Sequence, residues 1–242
     1  MKNPKKIQMT ILLILFSIFA KAATIEVFFE KSDKFFNTFV INNKVDYLLI
    51  KNNPEQLEEV LAIASTMDIN TLNINYYKAF WINTYNLLVI KGIVSKYPLK
   101  SVQEIKGFFD NTTYTVANQE MTLKIIEKNM LRKVLKDPFL NFVLVCAANG
   151  CPPLINKAYQ PEYIDQQLED QTKISINNSK FIRINKETKT IEVSEIFDWY
   201  KEDFLDKNGR IIDFINKYRA DKIDETYKIQ FYKYDWTLNS IK

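Results

Sequence analysis

Apolar and polar positions along the chain recur with two periods, and each period predicts an element. Leu57, Val60, Leu61 and Ala64 keep helical spacing behind Asn53-Pro54-Glu55. In that triplet Asn53 suits a cap, Pro54 a first turn and Glu55 the positive end of a helix. Residues 75–95, NYYKAFWINTYNLLVIKGIVS, are apolar nearly all round, which predicts a central, buried helix. Ser101 to Glu104 has the form of a capping box. Tyr114 to Met121 reads as a hairpin turning near Asn118, after which Thr122 caps a helix to about Leu135.

Residues 140–146 form a short apolar run with strand character, bounded by turns. Pro161 begins another helix with Ile164 and Leu168 inward. The period then changes to two: Ile182, Ile184, Ile191 and Val193 alternate on either side of KETK, a hairpin signal. Ser194 caps the helix SEIFDWYKEDF, Gly209 precedes a helix from about Ile211 to Tyr218, and Tyr227, Ile229 and Phe231 alternate in a last strand. Helices and hairpins mix without a regular βαβ rhythm. The expected fold is α+β, a single domain of mostly helices packed around a small, mainly antiparallel sheet and hairpins.

The first residues change the picture of charge. Lys2, Lys5 and Lys6 make a basic start, Met9 to Ala20 is apolar, and Ala20-Lys21-Ala22 supplies a small–x–small site. That is the pattern of a secretory signal peptide over residues 1–22, with cleavage expected after Ala22 and a globular domain over 23–242. The apolar run is about half of the ~20 residues a membrane-spanning helix needs, so no stable span is expected after cleavage. A periplasmic or extracellular location follows. The whole chain carries 33 Lys+Arg against 29 Asp+Glu. The leader removes four lysines and no acid, which leaves the mature charges balanced. No basic field then remains to recruit nucleic acid. The chain has no histidine, hence no ordinary base near neutral pH, and two cysteines cannot close a structural zinc site. Neither metal nor cofactor is expected.

Three groups of residues do not fit a plain core. Asn83 and Asn86, three apart, share one face of the most apolar helix. They either bind neighbouring loop backbone or line a site. Glu127 falls inside the apolar arc of Leu123, Ile126, Met130, Leu131 and Val134. Lys128 and Arg132 project from the other side of a regular helix, so neither is its natural partner. A carboxylate so placed must be paired, hydrogen-bonded or protonated. Cys146 and Cys151 flank the turn AANG before Pro152-Pro153. They form a disulfide, stay as inert thiols, or supply a nucleophile that would need Glu127 or a lysine as its base. A reversible redox pair is disfavoured, because the spacing is not C-x-x-C.

"AFWINTYNLLVI", "LKIIEKNMLR", "DPFLNFVLVCAANGCPPL", "SEIFDWYKEDF" and "YDWTLN" occur in this order. Together they resemble the successive motifs of the domain of unknown function 547 family, from about Val45 to Asn239. The resemblance implies an exported protein without an assigned activity. It carries over as candidate site residues Asn83, Asn86, Glu127, Arg132, Cys146, Cys151, Asp198, Trp199, Asp235 and Asn239. Relatives commonly carry histidine where this chain has Lys128 and Asn141. If the family pairs a cysteine with a histidine, as papain-like and transglutaminase-like enzymes do, this chain lacks the base. Two functions are therefore expected in this order. The first is a non-catalytic binding domain for a protein, peptide or small-molecule ligand, with Asn83, Asn86, Arg132, Asn141, Asp198, Trp199, Asp235 and Asn239 as its candidate contacts. The second is a thiol-dependent hydrolase or acyltransferase using Cys146 or Cys151 with Glu127.

Overall fold

The central helix organises the molecule because its sequence leaves it no face for water. In the computed structural model, which describes residues 25–205 and 209–241, α4 spans Ile74–Val94. Asn73 caps it, accepting from the backbone N–H groups of Asn75 and Tyr76. From Ala79 to Val94 every residue except Lys91 is buried. Helices pack around it on several sides. They are α1 (residues 25–39), α2 (Tyr47–Asn52), α3 (Glu55–Thr66) and α7 (Ile164–Asn177), joined by a helical run whose first turn is α5 (Leu123–Ile125). That run widens into a π-helical segment, Ile126–Arg132, and ends as α6 (Lys133–Leu135). Rings lead the packing: Phe28 lies against Phe80 with centroids 5.0 Å apart, and Phe80 meets Trp81 edge-on at 5.2 Å. The signal-peptide pattern of residues 1–22 lies outside the described residues. Among the described residues no helix is long and apolar enough to cross a membrane.

The strands are short and follow their turns. β1 (Val40–Ile41) and β2 (Lys44–Val45) pair antiparallel through Asn42 and Asn43, both at positive φ. β3 (Thr113–Val116) and β4 (Gln119–Thr122) do the same through Ala117 and Asn118. Two consecutive positive-φ residues match the right-handed twist of a hairpin, and asparagine tolerates that region well. A three-stranded sheet holds β5 (Ile182–Asn185), β6 (Thr190–Ser194) and β7 (Lys228–Tyr232), with β5–β6 antiparallel and β6–β7 parallel. Ile182, Ile191 and Val193 face a second core with Phe197, Phe204 and the apolar side of α10 (Ile211–Tyr218). Phe142 belongs to this second core while its neighbours Leu140 and Val143 belong to the first. The fold is α+β, mostly helical, with small and mainly antiparallel sheets.

Four local expectations are corrected. Asn53 does not cap α3. Its backbone N–H and its side-chain amide close the end of α2 on Leu49 and Ile50 carbonyls, and α3 starts after Pro54 without a side-chain cap. The helix expected at Pro161 begins at Ile164 after one turn. SEIFDWYKEDF breaks at Tyr200 into α8 (Ile196–Trp199) and α9 (Lys201–Phe204). Residues 140–146 are not a strand. Pro138–Phe142 is a 3-10 turn and the next residues belong to no strand. A buried side chain supplies the missing partner, as described next.

Candidate functional site

Asn86 is fully buried on α4. Its Nδ2 donates to the Val143 carbonyl at 2.9 Å, and its Oδ1 accepts from the Val145 N–H at 3.0 Å. One amide thus replaces a neighbouring strand and satisfies both polar groups of a passing chain. Asn83, on the same face, repeats the arrangement with Tyr159: Nδ2 to its carbonyl at 2.8 Å and Oδ1 from its N–H at 2.9 Å. Both asparagines therefore bind loop backbone and stand behind the site rather than in it.

The π-helical segment resolves the problem of Glu127. On a regular helix, residues five apart lie roughly 140° from each other. Here the backbone N–H of Lys133 reaches Lys128 O, five residues back. This wider winding brings residues five apart onto one face. Arg132 Nε donates to Glu127 Oε1 at 2.7 Å, which corrects the expectation that Arg132 points away. The same guanidinium donates through Nη1 to Asp203 and through Nη2 to Asn141, both at 2.8 Å. Asn141 in turn donates to Asp203 Oδ2 at 2.9 Å and to the Pro138 carbonyl. The break at Tyr200 sets its ring 3.9 Å from the guanidinium carbon, with its hydroxyl donating to Glu127 Oε1 at 3.0 Å. Burial, then the Glu127 charge, pushes the Tyr200 hydroxyl up to about 12. The buried Tyr85 hydroxyl is raised well above the ordinary value by the same two causes in the same order.

The cysteine turn completes one wall. Cys146 and Cys151 are joined as a disulfide. The Tyr234 hydroxyl lies 2.9 Å from Cys146 Sγ and 3.2 Å from Cys151 Sγ. The turn is also fastened from outside by residues 235–239. Asn149 N–H donates to the Thr237 carbonyl, Gly150 N–H to the Asp235 carbonyl, and Asn239 N–H to the Ala147 carbonyl. Gly150 lies close to this segment: a Cβ there would crowd Asp235 N and the Tyr234 ring at 3.0 Å. Asp235 accepts from the Thr237 N–H, and Asn239 Oδ1 accepts from the buried Tyr47 hydroxyl at 2.6 Å.

These parts enclose a cavity of about 390 Å³. Of the residues singled out in the sequence, Glu127, Arg132, Asn141, Cys146, Cys151 and Trp199 line it. Asn83, Asn86, Asp235 and Asn239 hold the scaffold around it, and Asp198 is exposed outside the lining. Lys128, where relatives carry histidine, also lines the cavity, as do Tyr85, Lys124, Tyr200, Tyr234 and Trp236, which are not among the candidates of the sequence. Tyr85 sits between the two asparagines on α4, and Tyr234 and Trp236 belong to the YDWTLN stretch, so the quoted motifs did contain them. Trp199, Tyr234 and Trp236 form one aromatic group, with Trp199 and Trp236 stacked at 5.8 Å. Among the described residues no cluster of acidic or cysteine side chains is arranged to hold a metal ion.

Compared with protein-family models, residues 69–174 match Protein of unknown function, DUF547. The matched stretch contains α4, the π-helical segment, Asn141 and both cysteines. Trp199, Tyr200, Tyr234 and Trp236 come from beyond it. No curated protein and no solved structure matches the chain.

Proposed function

We propose that this chain, whose residues 69–174 match the DUF547 family of proteins of unknown function, is an exported domain that binds a ligand in the cleft without transforming it. One observation carries the reading. The two sulfurs beside the cavity are bonded to each other, and the nearby carboxylate is held by Arg132 and Tyr200. A nucleophile needs a thiolate and a base free to serve it. What the cleft offers instead is a concave, largely apolar surface with a few fixed polar groups, the usual form of a small-ligand site.

The second reading keeps one point in its favour: Cys146, Cys151 and Glu127 all border the same cavity. A thiol hydrolase or acyltransferase would need the disulfide opened first. Purified protein is therefore expected to show no turnover of activated esters, thioesters or peptides, whether oxidised or treated with a reductant. Turnover that appears on reduction and disappears in Cys151→Ala would overturn the binding reading and establish the enzyme.

Export is supported by the leader pattern of residues 1–22 and by the disulfide, which suits an oxidising compartment. Protein recovered from cells expressing the whole chain is expected to begin at Ala23 on N-terminal sequencing. A preparation that still begins at Met1 contradicts cleavage.

A further inference from the structure

We infer that the ligand is a small amphipathic anion, a flat apolar body bearing one acid group, and that Lys128 recognises the acid. This rests on the binding reading above. Five charged side chains line the cavity: Lys124, Lys128 and Arg132 against Asp110 and Glu127. Lys124 is paired with Asp110 at 2.8 Å and Arg132 with Glu127 at 2.7 Å. Lys128 is exposed and has neither an ion pair nor a side-chain hydrogen bond among the described residues. Asp203, just behind the lining, takes a second bond from Arg132, so the charges of the cluster balance, but Lys128 is left without a partner among the described residues and free to turn toward a ligand. An opposite charge on the ligand complements its ammonium, and apolar walls strengthen the attraction.

The rest of the lining specifies the body. Leu140, Leu144, Val145 and Ile196 give an apolar surface, and the stacked pair Trp199 and Trp236 gives a flat one. Trp199 remains 47% exposed, so its face is open to a ligand. A cation could also lie on these rings, but the unpaired Lys128 ammonium beside them opposes it. A polyhydroxylated ring fits less well. Arg132 already donates through Nε, Nη1 and Nη2, and Asn141 through Nδ2, so few polar groups are left to satisfy its hydroxyls.

The test uses the whole protein with its disulfide intact and three probes of one shape: naphthoate, naphthalenemethanol and naphthylmethylammonium, titrated by calorimetry. Naphthoate is expected to bind roughly tenfold or more tighter than the other two, the size of one charge-assisted contact. Lys128→Met should remove that preference and leave the alcohol's affinity unchanged, whereas Trp199→Ala should weaken all three. Both residues are exposed, so both variants are expected to fold. If the alcohol or the ammonium binds as tightly as naphthoate, or if the preference survives Lys128→Met, the anion inference fails while the binding reading stands. If none of the three binds up to its solubility limit, both fall.

Discussion

Replacing Asn86 with leucine should destabilise the protein by about 4 kcal/mol, measured by urea unfolding followed by circular dichroism. The side chain is fully buried and satisfies two backbone groups, the Val143 carbonyl and the Val145 N–H. Leucine keeps the branching and is bulkier, so the loss is not a cavity effect. It is the cost of leaving two buried polar groups without partners, about 1–3 kcal/mol for each. Leu144 and Val145 line the cavity, so the variant should also lose affinity for any cleft ligand in proportion to how far this segment shifts. Asn83→Leu should cost a similar amount through Tyr159, with less effect on the cleft. A loss under about 1 kcal/mol for Asn86→Leu would mean that water or a shifted loop replaces the clip.

Replacing Arg132 with methionine should cost about 3 kcal/mol, the lower end for breaking a buried charge pair because both side chains keep some contact with water. The change strands Glu127 and removes a partner from Asp203 and Asn141 at once. Arg132→Lys is expected to recover little, since one ammonium cannot aim at three acceptors as a planar guanidinium does. Pairing Arg132→Met with Glu127→Gln should be less damaging than the two single changes added, by 1 kcal/mol or more in a double-mutant cycle. Strict additivity would show that the contact, although short, contributes nothing of its own.

The sequence makes some of this legible and hides the rest for identifiable reasons. α4 is read nearly to its ends because 21 residues of apolar character admit no other element. The β5–β6 hairpin follows from alternation that a strand alone produces. The π-helical segment is invisible because every face assignment assumes 3.6 residues per turn, and nothing in IEKNMLR marks the wider winding. That one departure placed Arg132 on the wrong side of Glu127. Residues 140–146 carry a strand-like pattern without forming a strand, because an apolar run says how much is buried, not who bonds the backbone. Their partner, Asn86, lies 57 positions earlier than Val143. The cysteines stayed ambiguous because the spacing allows a bond only if the turn doubles back, and residues 235–239 are what fold it back. The shared motifs mark two kinds of residue without distinguishing them. Glu127, Asn141 and Trp199 border the cavity, whereas Asn83, Asn86 and Asn239 hold its walls in place.

The fastening of the cysteine turn by residues 235–239 carries a consequence for synthesis. Tyr47 waits for Asn239 across 192 positions, and the wall formed by Tyr234 and Trp236 waits with it. Helices α1 to α7 can gather around their own core while the chain is still being made. The cleft cannot take its shape until residues 234–239 have arrived. A nascent or clipped chain ending before Tyr234 therefore carries most of the helical core but an open cleft, so the binding proposed for the cleft requires the completed chain.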